Sequence, residues 1–370
     1  MSNSFQQVRN LGQSIWYDNI RRSHIKSGEL QRLIDLGVTG LTSNPTIFEK
    51  AIAGSSDYDK ELIAFAESGK SAAEIFESLA MQDIRDAATL MRHIYDESNG
   101  ADGFVSFEVN PHLAHDTEGT VQEAIRLFTA LDRTNVMIKV PATPEGIPAI
   151  RRLICEGINV NVTLIFSLDT YCHVREAYIA GLEGLAASGG DVSRVASVAS
   201  FFVSRVDSAV NTVLDKLSHG KQDKASRLLS KIAIANAKLA YRDFKKAFGD
   251  ARFKELKAKG AKVQRPLWAS TSTKNPALSD VLYVETLIGR DTVNTMPEVT
   301  LMAFLDHGRA EETLHQDVQY AEQIMASIRD MNVNLGQITD SLLLAGVTSF
   351  ADSFDNLIAN IDGKIARLLS

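Results

Sequence analysis

The chain has 370 residues, 39 basic and 46 acidic side chains, and a net charge of −7 at pH 7. That balance excludes a protein that grips nucleic acid with a strongly basic surface, and 45% hydrophobic with 23% charged residues excludes a disordered chain. With only two cysteines, Cys155 and Cys172, a disulfide scaffold and a four-thiolate metal site are also excluded.

The opening segment Met1–Asn10 lacks the apolar core of a signal peptide, and no uncharged apolar run reaches the roughly 20 residues of a membrane helix. A cytoplasmic protein that engages neither membrane nor nucleic acid is expected. From there the chain alternates short runs rich in Val, Ile, Phe and Thr with longer helix-like stretches. The predicted strands are Ser14–Ile20, Val38–Asn44, Phe104–Asn110, Asn135–Ala142, Asn159–Ile165, Arg194–Phe201, Arg265–Thr271 and Asp291–Met296. The predicted helices include Thr120–Leu131, Leu168–Ala187 and Ser204–Leu217, the last continuing into Lys224–Phe248. Eight strands alternating with helices predict an α/β fold, a single (β/α)8 TIM barrel over residues 1–370. A dinucleotide-binding sheet would need a glycine fingerprint after its first strand. Arg21-Arg-Ser-His-Ile-Lys-Ser-Gly28 holds none. Near the end, Val347, Phe350, Phe354, Leu357, Ile361, Ile365 and Leu368 step by three and four, one apolar helix face. The C-terminal helices of roughly residues 310–370 are expected to pack on the barrel.

In such a barrel the chemistry sits at the C-terminal ends of the strands. Lys139, within Val-Met-Ile-Lys-Val-Pro-Ala, is the sharpest candidate, because an apolar strand is a costly place for an ammonium group. Desolvation disfavours the charged form, and a neutral amine attacks carbonyls. The alternative is a lysine paired with a structural carboxylate. Glu108, in Val-Ser-Phe-Glu-Val-Asn, and Asp18, after Ile-Trp-Tyr, supply carboxylates for proton transfer or for such a pair. Asn44, Asn161 and Thr163 are short polar groups near strand ends, fit either to hold hydroxyls and water or to cap helices. Two places suit an anion: Ser200-Phe-Phe-Val-Ser-Arg205, where a strand turns into a helix, and the hydroxyl-rich loop Ser270-Thr-Ser-Thr-Lys-Asn275 with Lys274. His112-Leu-Ala-His115-Asp116 has the look of a metal cluster but lacks a further ligand, so no metal site is expected. Both cysteines are expected to fill core space.

Taken in order along the chain, these segments resemble the transaldolases. The specific parts are Leu41-Thr-Ser-Asn-Pro-Thr46, the Lys139 segment ending Pro-Ala-Thr-Pro-Glu-Gly146, and Asn159-Val-Asn-Val-Thr-Leu-Ile-Phe-Ser167. Trp268-Ala-Ser-Thr-Ser-Thr-Lys-Asn-Pro276 and Asp291-Thr-Val-Asn-Thr-Met-Pro297 complete the set. The length is similar to that of the longer bacterial group rather than the much shorter fructose-6-phosphate aldolases.

The resemblance implies that Lys139 forms a Schiff base and passes a dihydroxyacetone unit from a ketose phosphate to an aldose phosphate. The implied pair is sedoheptulose 7-phosphate with glyceraldehyde 3-phosphate, giving erythrose 4-phosphate and fructose 6-phosphate, in the non-oxidative pentose phosphate pathway. No metal or organic cofactor is implied, and a monomer or homodimer is expected. Asp18 would take the proton of the hydroxyl next to the cleaved bond. Glu108, with Thr163 and a water, would move protons as the imine forms and hydrolyses. Asn44, Asn161 and Ser200 would hold the three-carbon unit, and Arg205 with Ser270 the phosphate.

The chain departs from the pattern in places. No arginine follows Ser270 as in the shorter relatives, so Lys274 is the candidate replacement, without the guanidinium fork. Phe201 stands where many relatives have proline and Ser204 where they have glycine. A Schiff-base aldolase that releases free dihydroxyacetone is the alternative activity. A barrel that only binds sugar phosphates or a partner is the non-enzymatic one, and it would predict a broken acid–base set.

Overall fold

The structure, a computed structural model, describes residues 2–217 and 224–370. Eight parallel strands close into a barrel in chain order: β1 Gln13–Asp18, β2 Val38–Thr42, β3 Val105–Glu108, β4 Val136–Pro141, β5 Val160–Ile165, β6 Ser197–Phe202, β7 Arg265–Ala269 and β8 Thr292–Met296. Every residue of β2, β4, β5, β6 and β8 is buried, because helices cover the outer faces and side chains fill the interior. The ring closes where β8 pairs with β1, from Gln13 opposite Thr292 to Tyr17 opposite Met296.

The lower end of the barrel is held by a polar cluster. Trp16 Nε1 donates to Asp102 at 2.8 Å, Ser14 donates to the same carboxylate, and Arg265 donates to Ser14 Oγ at 2.7 Å. Gly40 makes room for this arrangement, since a Cβ there would sit 2.4 Å from the Trp16 ring. The seam between β2 and β3 is the thinnest in the wall, with the single register pair Leu41–Val105. Above that pair the strands are joined by a side chain, Ser43 Oγ donating to the Ser106 carbonyl at 2.8 Å.

Several element bounds differ from the sequence reading. β2, β3 and β7 stop at Thr42, Glu108 and Ala269, two residues before Asn44, Asn110 and Thr271. Asn44 and Asn110 turn their side chains back to cap short helices instead. The predicted strand Arg194–Phe201 begins only at Ser197, and Arg194 instead closes a 3-10 turn, Val192–Arg194. The helix predicted from Lys224 begins at Ile232. Ser230 takes a left-handed φ of 59° and exchanges hydrogen bonds with Asn211, which stops helical propagation there. The segment joining it to Ser204–Leu217 lies outside the described residues. Cys155 is half-buried and Cys172 exposed, so neither fills the core as expected.

The last helix, Leu335–Leu368, is 34 residues long and lies across the C-terminal end of the barrel. Its own Leu357 and Ile361 are fully buried, and its Val347, Phe350, Phe354, Ile365 and Leu368 pack against the core. Lys364 fastens it: Nζ donates to the Ile52 carbonyl at 3.0 Å and to the Ser55 carbonyl, and pairs with Asp59 at 2.6 Å. Thr46–Ser353, Glu49–Asn360 and His112–Asp355 contacts of 2.8–3.0 Å add to the seal. Among the described residues this helix alone is long and apolar enough, by length and composition, to cross a membrane.

Candidate active site

Register brings the predicted catalytic groups together. Glu108 on β3 lies opposite Lys139 on β4, and Lys139 lies opposite Asn161 on β5. Lys139 is buried at 6% exposure; its Nζ pairs with the Glu108 carboxylate and donates to the Ser43 carbonyl at 2.8 Å. Burial pushes the Glu108 carboxyl above its ordinary range and Asp18 adds to the rise, against the pull of Lys139.

Asp18, at the end of β1, accepts a 2.6 Å hydrogen bond from the Thr42 hydroxyl. The Thr42 oxygen sits 2.7 Å from the Thr295 hydroxyl, and with its single proton committed to Asp18 it accepts from Thr295. Burial raises the Asp18 pKa, while Thr42, Lys139 and Arg205 hold it down. The two carboxyls therefore stand in environments that favour proton uptake beside a buried amine.

A cavity of about 470 Å³ opens above them. Of the predicted site residues, Asp18, Asn44, Lys139, Thr163, Ser200, Arg205, Ser270 and Lys274 line it. Glu108 and Asn161 do not. Asn161 is fully buried one layer down, donating to Ser106 Oγ at 3.0 Å and accepting from Ser200 Oγ at 2.7 Å. Asn44 spends its carbonyl oxygen on the Ile47 N–H at 3.0 Å, capping the helix Pro45–Phe48. Lys274 is exposed at the rim.

Arg205 is the second residue of the helix Ser204–Leu217. Burial lowers its pKa, and Asp18 opposes that shift. Among the described residues its guanidinium meets no carboxylate within 4.0 Å, and it lies 5.4 Å from the Phe202 ring centroid. Among the described residues its backbone N–H has no partner, whereas Ser204 N–H is taken by the Ser270 carbonyl, and those of Val206 and Asp207 by Val203. Ser270 holds a left-handed φ of 55°, and its hydroxyl sits 2.9 Å from that of Ser204. A helix start and an arginine set together in this way offer the donors that suit an anion.

Three contributors escaped the sequence reading. Arg21 and Lys50 also line the cavity, and among the described residues neither forms an ion pair. With Lys139, Arg205 and Lys274 they set five cations against Asp18 and Glu298, a basic cavity in an acidic protein. Phe350, from the last helix, places its ring centroid 5.9 Å from Lys139 Nζ. Arg21 and Lys50 had only their closeness to the ends of β1 and β2 as a signal, and Phe350 only its place in a periodic face.

A second, small cavity of about 20 Å³ is lined by Glu108, Lys139 and Thr163, with Val347, Phe350 and Leu164 among its apolar walls. That is room for one water molecule with three polar partners. Its shape follows from a break in β5. Leu164 takes φ 60°, rarely open to a branched side chain, where the β5–β6 register shifts between Val162 and Ile165. Gly346 of the last helix fits directly over Leu164. The histidines flagged earlier part ways, His112 to Asp355 and His115 to Glu145, while Asp116 caps the helix Thr117–Leu131.

Comparison with known sequences gives a family match. The profile of the family described as Transaldolase/Fructose-6-phosphate aldolase matches residues 15–361. The chain is 48% identical over 376 aligned residues to a transaldolase of Trichodesmium erythraeum (strain IMS101), covering 100% of this chain and 99% of the relative. It is 46% identical to transaldolase 2 of Nostoc punctiforme, covering 99% of each chain. A transaldolase of Frankia alni is also 46% identical, again with 99% of each chain covered.

Proposed function

The chain belongs to the transaldolase/fructose-6-phosphate aldolase family, and on that premise we propose that it is a transaldolase whose nucleophile is Lys139. The observation that carries this reading is the buried Lys139–Glu108 pair set between a water-sized pocket and a basic cavity.

The amine adds to the ketose carbonyl carbon and forms a carbinolamine. Glu108, its proton affinity raised by burial, protonates the carbinolamine hydroxyl, which leaves as water held by Thr163. The protonated imine is then the electron sink. Asp18 takes the proton from the hydroxyl on the next carbon but one, the carbon–carbon bond breaks, and its electron pair enters the imine to give an enamine. The released aldose phosphate departs. The enamine attacks the aldehyde of an acceptor aldose phosphate, Asp18 returns its proton to the new hydroxyl, and water hydrolyses the imine with Glu108 as base.

Asn44 and Ser200 hold the three-carbon unit, and Asn161 orients Ser200 from below. Arg205, with its own N–H and Ser270, binds the phosphate, while Lys274, Lys50 and Arg21 supply the surrounding positive field. On this reading the donor and acceptor are the phosphorylated sugars of the non-oxidative pentose phosphate pathway, met in the cytoplasm. Phe350 over the amine favours transfer above release of free dihydroxyacetone, because it keeps bulk water from the enamine.

The test is chemical trapping. After incubation with fructose 6-phosphate and borohydride, trypsin should leave the peptide Thr134–Arg151 uncut at Lys139 and carrying a reduced three-carbon unit. A folded protein in which Lys139 stays unmodified refutes the assignment.

A further inference from the structure

A third cavity, of about 480 Å³, lies outside the barrel between the wall and the helices Ala72–Glu97 and Thr117–Leu131. It stands above the single β2–β3 register pair, lined by Ser43 and Asn44 just beyond β2 and by Phe107 and Glu108 of β3. Its inner walls include Phe48, Phe76 and Phe107, and Lys70, Glu74 and Arg126 stand among its polar lining. At its inner end it reaches Glu108, Val109 and Pro111, which also line the 20 Å³ pocket beside Lys139. The substrate cavity meets that pocket from the other side, through Lys139, Thr163 and Phe350, and does not touch Glu108. The small pocket is thus wedged between two larger spaces, with Glu108 on the outer side. Asn44, pinned by its cap on Ile47, stands between the outer cavity and the substrate cavity.

We propose that water reaches and leaves Lys139 through this outer cavity and past Glu108 and Val109 at the end of β3, behind the substrate. The inference rests on the Schiff-base reading. Each cycle expels one water: the carbon–oxygen bond of the carbinolamine breaks, and the hydroxyl leaves with a proton from Glu108. Each cycle also takes one water in: it adds to the imine carbon, and Glu108 regains the proton. Between these events bulk water at the enamine would end transfer, and the substrate fills the front cavity. A rear path supplies the one water needed without opening the front.

The route is tested by narrowing it far from the reacting groups. Ala73 is an exposed residue in the first turn of its helix and Ser78 is half-exposed, and both line the outer cavity. The variants Ala73→Trp and Ser78→Phe, singly and together, are compared with Ala73→Ser in the full-length enzyme. The readout is incorporation of ¹⁸O from labelled water into the C2 oxygen of fructose 6-phosphate, followed by mass spectrometry. The expected result is a fall in exchange of tenfold or more with bulk at either position, KM within twofold of the parent, and Lys139 still trapped by borohydride at equilibrium. Exchange at the parent rate in both folded bulky variants overturns the proposal, as does a fall matched by an equal rise in KM. If the parent enzyme itself shows no trapping at Lys139, the Schiff-base reading fails and the route falls with it.

Discussion

Replacing Phe350 with alanine should convert part of the transfer activity into release of free dihydroxyacetone. The ring borders both the 470 Å³ substrate cavity and the 20 Å³ water pocket, 5.9 Å from Lys139 Nζ. Its removal joins the two spaces and lets water stand beside the enamine. The fold should tolerate the change. A Phe-to-Ala truncation in a closed core costs about 3–5 kcal/mol, but Phe350 is only half-buried and faces two cavities, so a loss of roughly 1–2 kcal/mol is expected. The chemical effect is set by the cost of placing a water beside the enamine, which the vacated ring space lowers by about 0–2 kcal/mol. At about 1.4 kcal/mol per decade in rate, the ratio of dihydroxyacetone released to fructose 6-phosphate formed should rise roughly tenfold. Dihydroxyacetone is measured with a coupled reductase and fructose 6-phosphate with a coupled dehydrogenase, in the same mixture. A folded variant whose partition ratio stays within twofold of the parent would falsify the shielding argument.

Asp18→Asn keeps an acceptor for Thr42 and removes a charge whose pKa burial raises. A raised carboxyl contributes stability that is present in acid, below its unfolded value, and is lost as pH rises through its folded value. The variant should therefore melt higher than the parent at pH 8, on the scale of about 1 kcal/mol. That advantage should fade on acidification, and carbon–carbon cleavage should be lost; an equal or lower melting temperature at pH 8 contradicts the sign. Arg205→Ala removes charge-assisted hydrogen bonds of roughly 1.5–3 kcal/mol. KM for fructose 6-phosphate should rise about 10- to 100-fold while KM for unphosphorylated fructose stays put, and equal effects on both sugars would remove the phosphate role. Lys364→Met breaks a buried pair of the kind that costs about 3–5 kcal/mol, reduced here to roughly 2–3 because Asp59 retains 31% exposure. The urea midpoint should fall with an unchanged slope, and transfer should weaken as the last helix loosens; a midpoint equal to the parent's speaks against that anchor.

Much of the barrel is legible because strands covered on both faces read as largely apolar runs, as Val136–Ile138 does without a break and Val160–Ile165 does apart from Asn161 and Thr163. The same property exposes the chemistry. Lys139 and Glu108 stand out as charges where a charge is costly, and the parallel register then brings them side by side. What the chain order does not reveal comes from contacts made across it. The periodic face of the last helix is visible, but nothing local says that Phe350 will stand over Lys139 rather than over another part of the surface. Ser230 looks like a helix residue until Asn211 takes its hydrogen bonds. Arg21 and Lys50 look like ordinary surface cations until the ends of β1 and β2 turn them toward one cavity. Asn161 reads as one more polar group near a strand end, and its burial below Ser200 follows from pairing with Ser106 and Ser200, both from other strands.

The fastening of the last helix also fixes when the enzyme can become an enzyme. Synthesis proceeds from the N-terminus, and folded units form as they emerge. All eight strands have been made once Met296 is joined, yet Phe350 and Lys364 follow later, and Lys364 must find carbonyls at Ile52 and Ser55 more than 300 positions earlier. A ribosome-bound barrel would carry its amine and carboxylates uncovered, able to meet a sugar but unable to keep the reactive carbon dry. Useful turnover therefore waits until the helix Leu335–Leu368 has been made and docked, and that helix acts as the release check on the chemistry laid down before it.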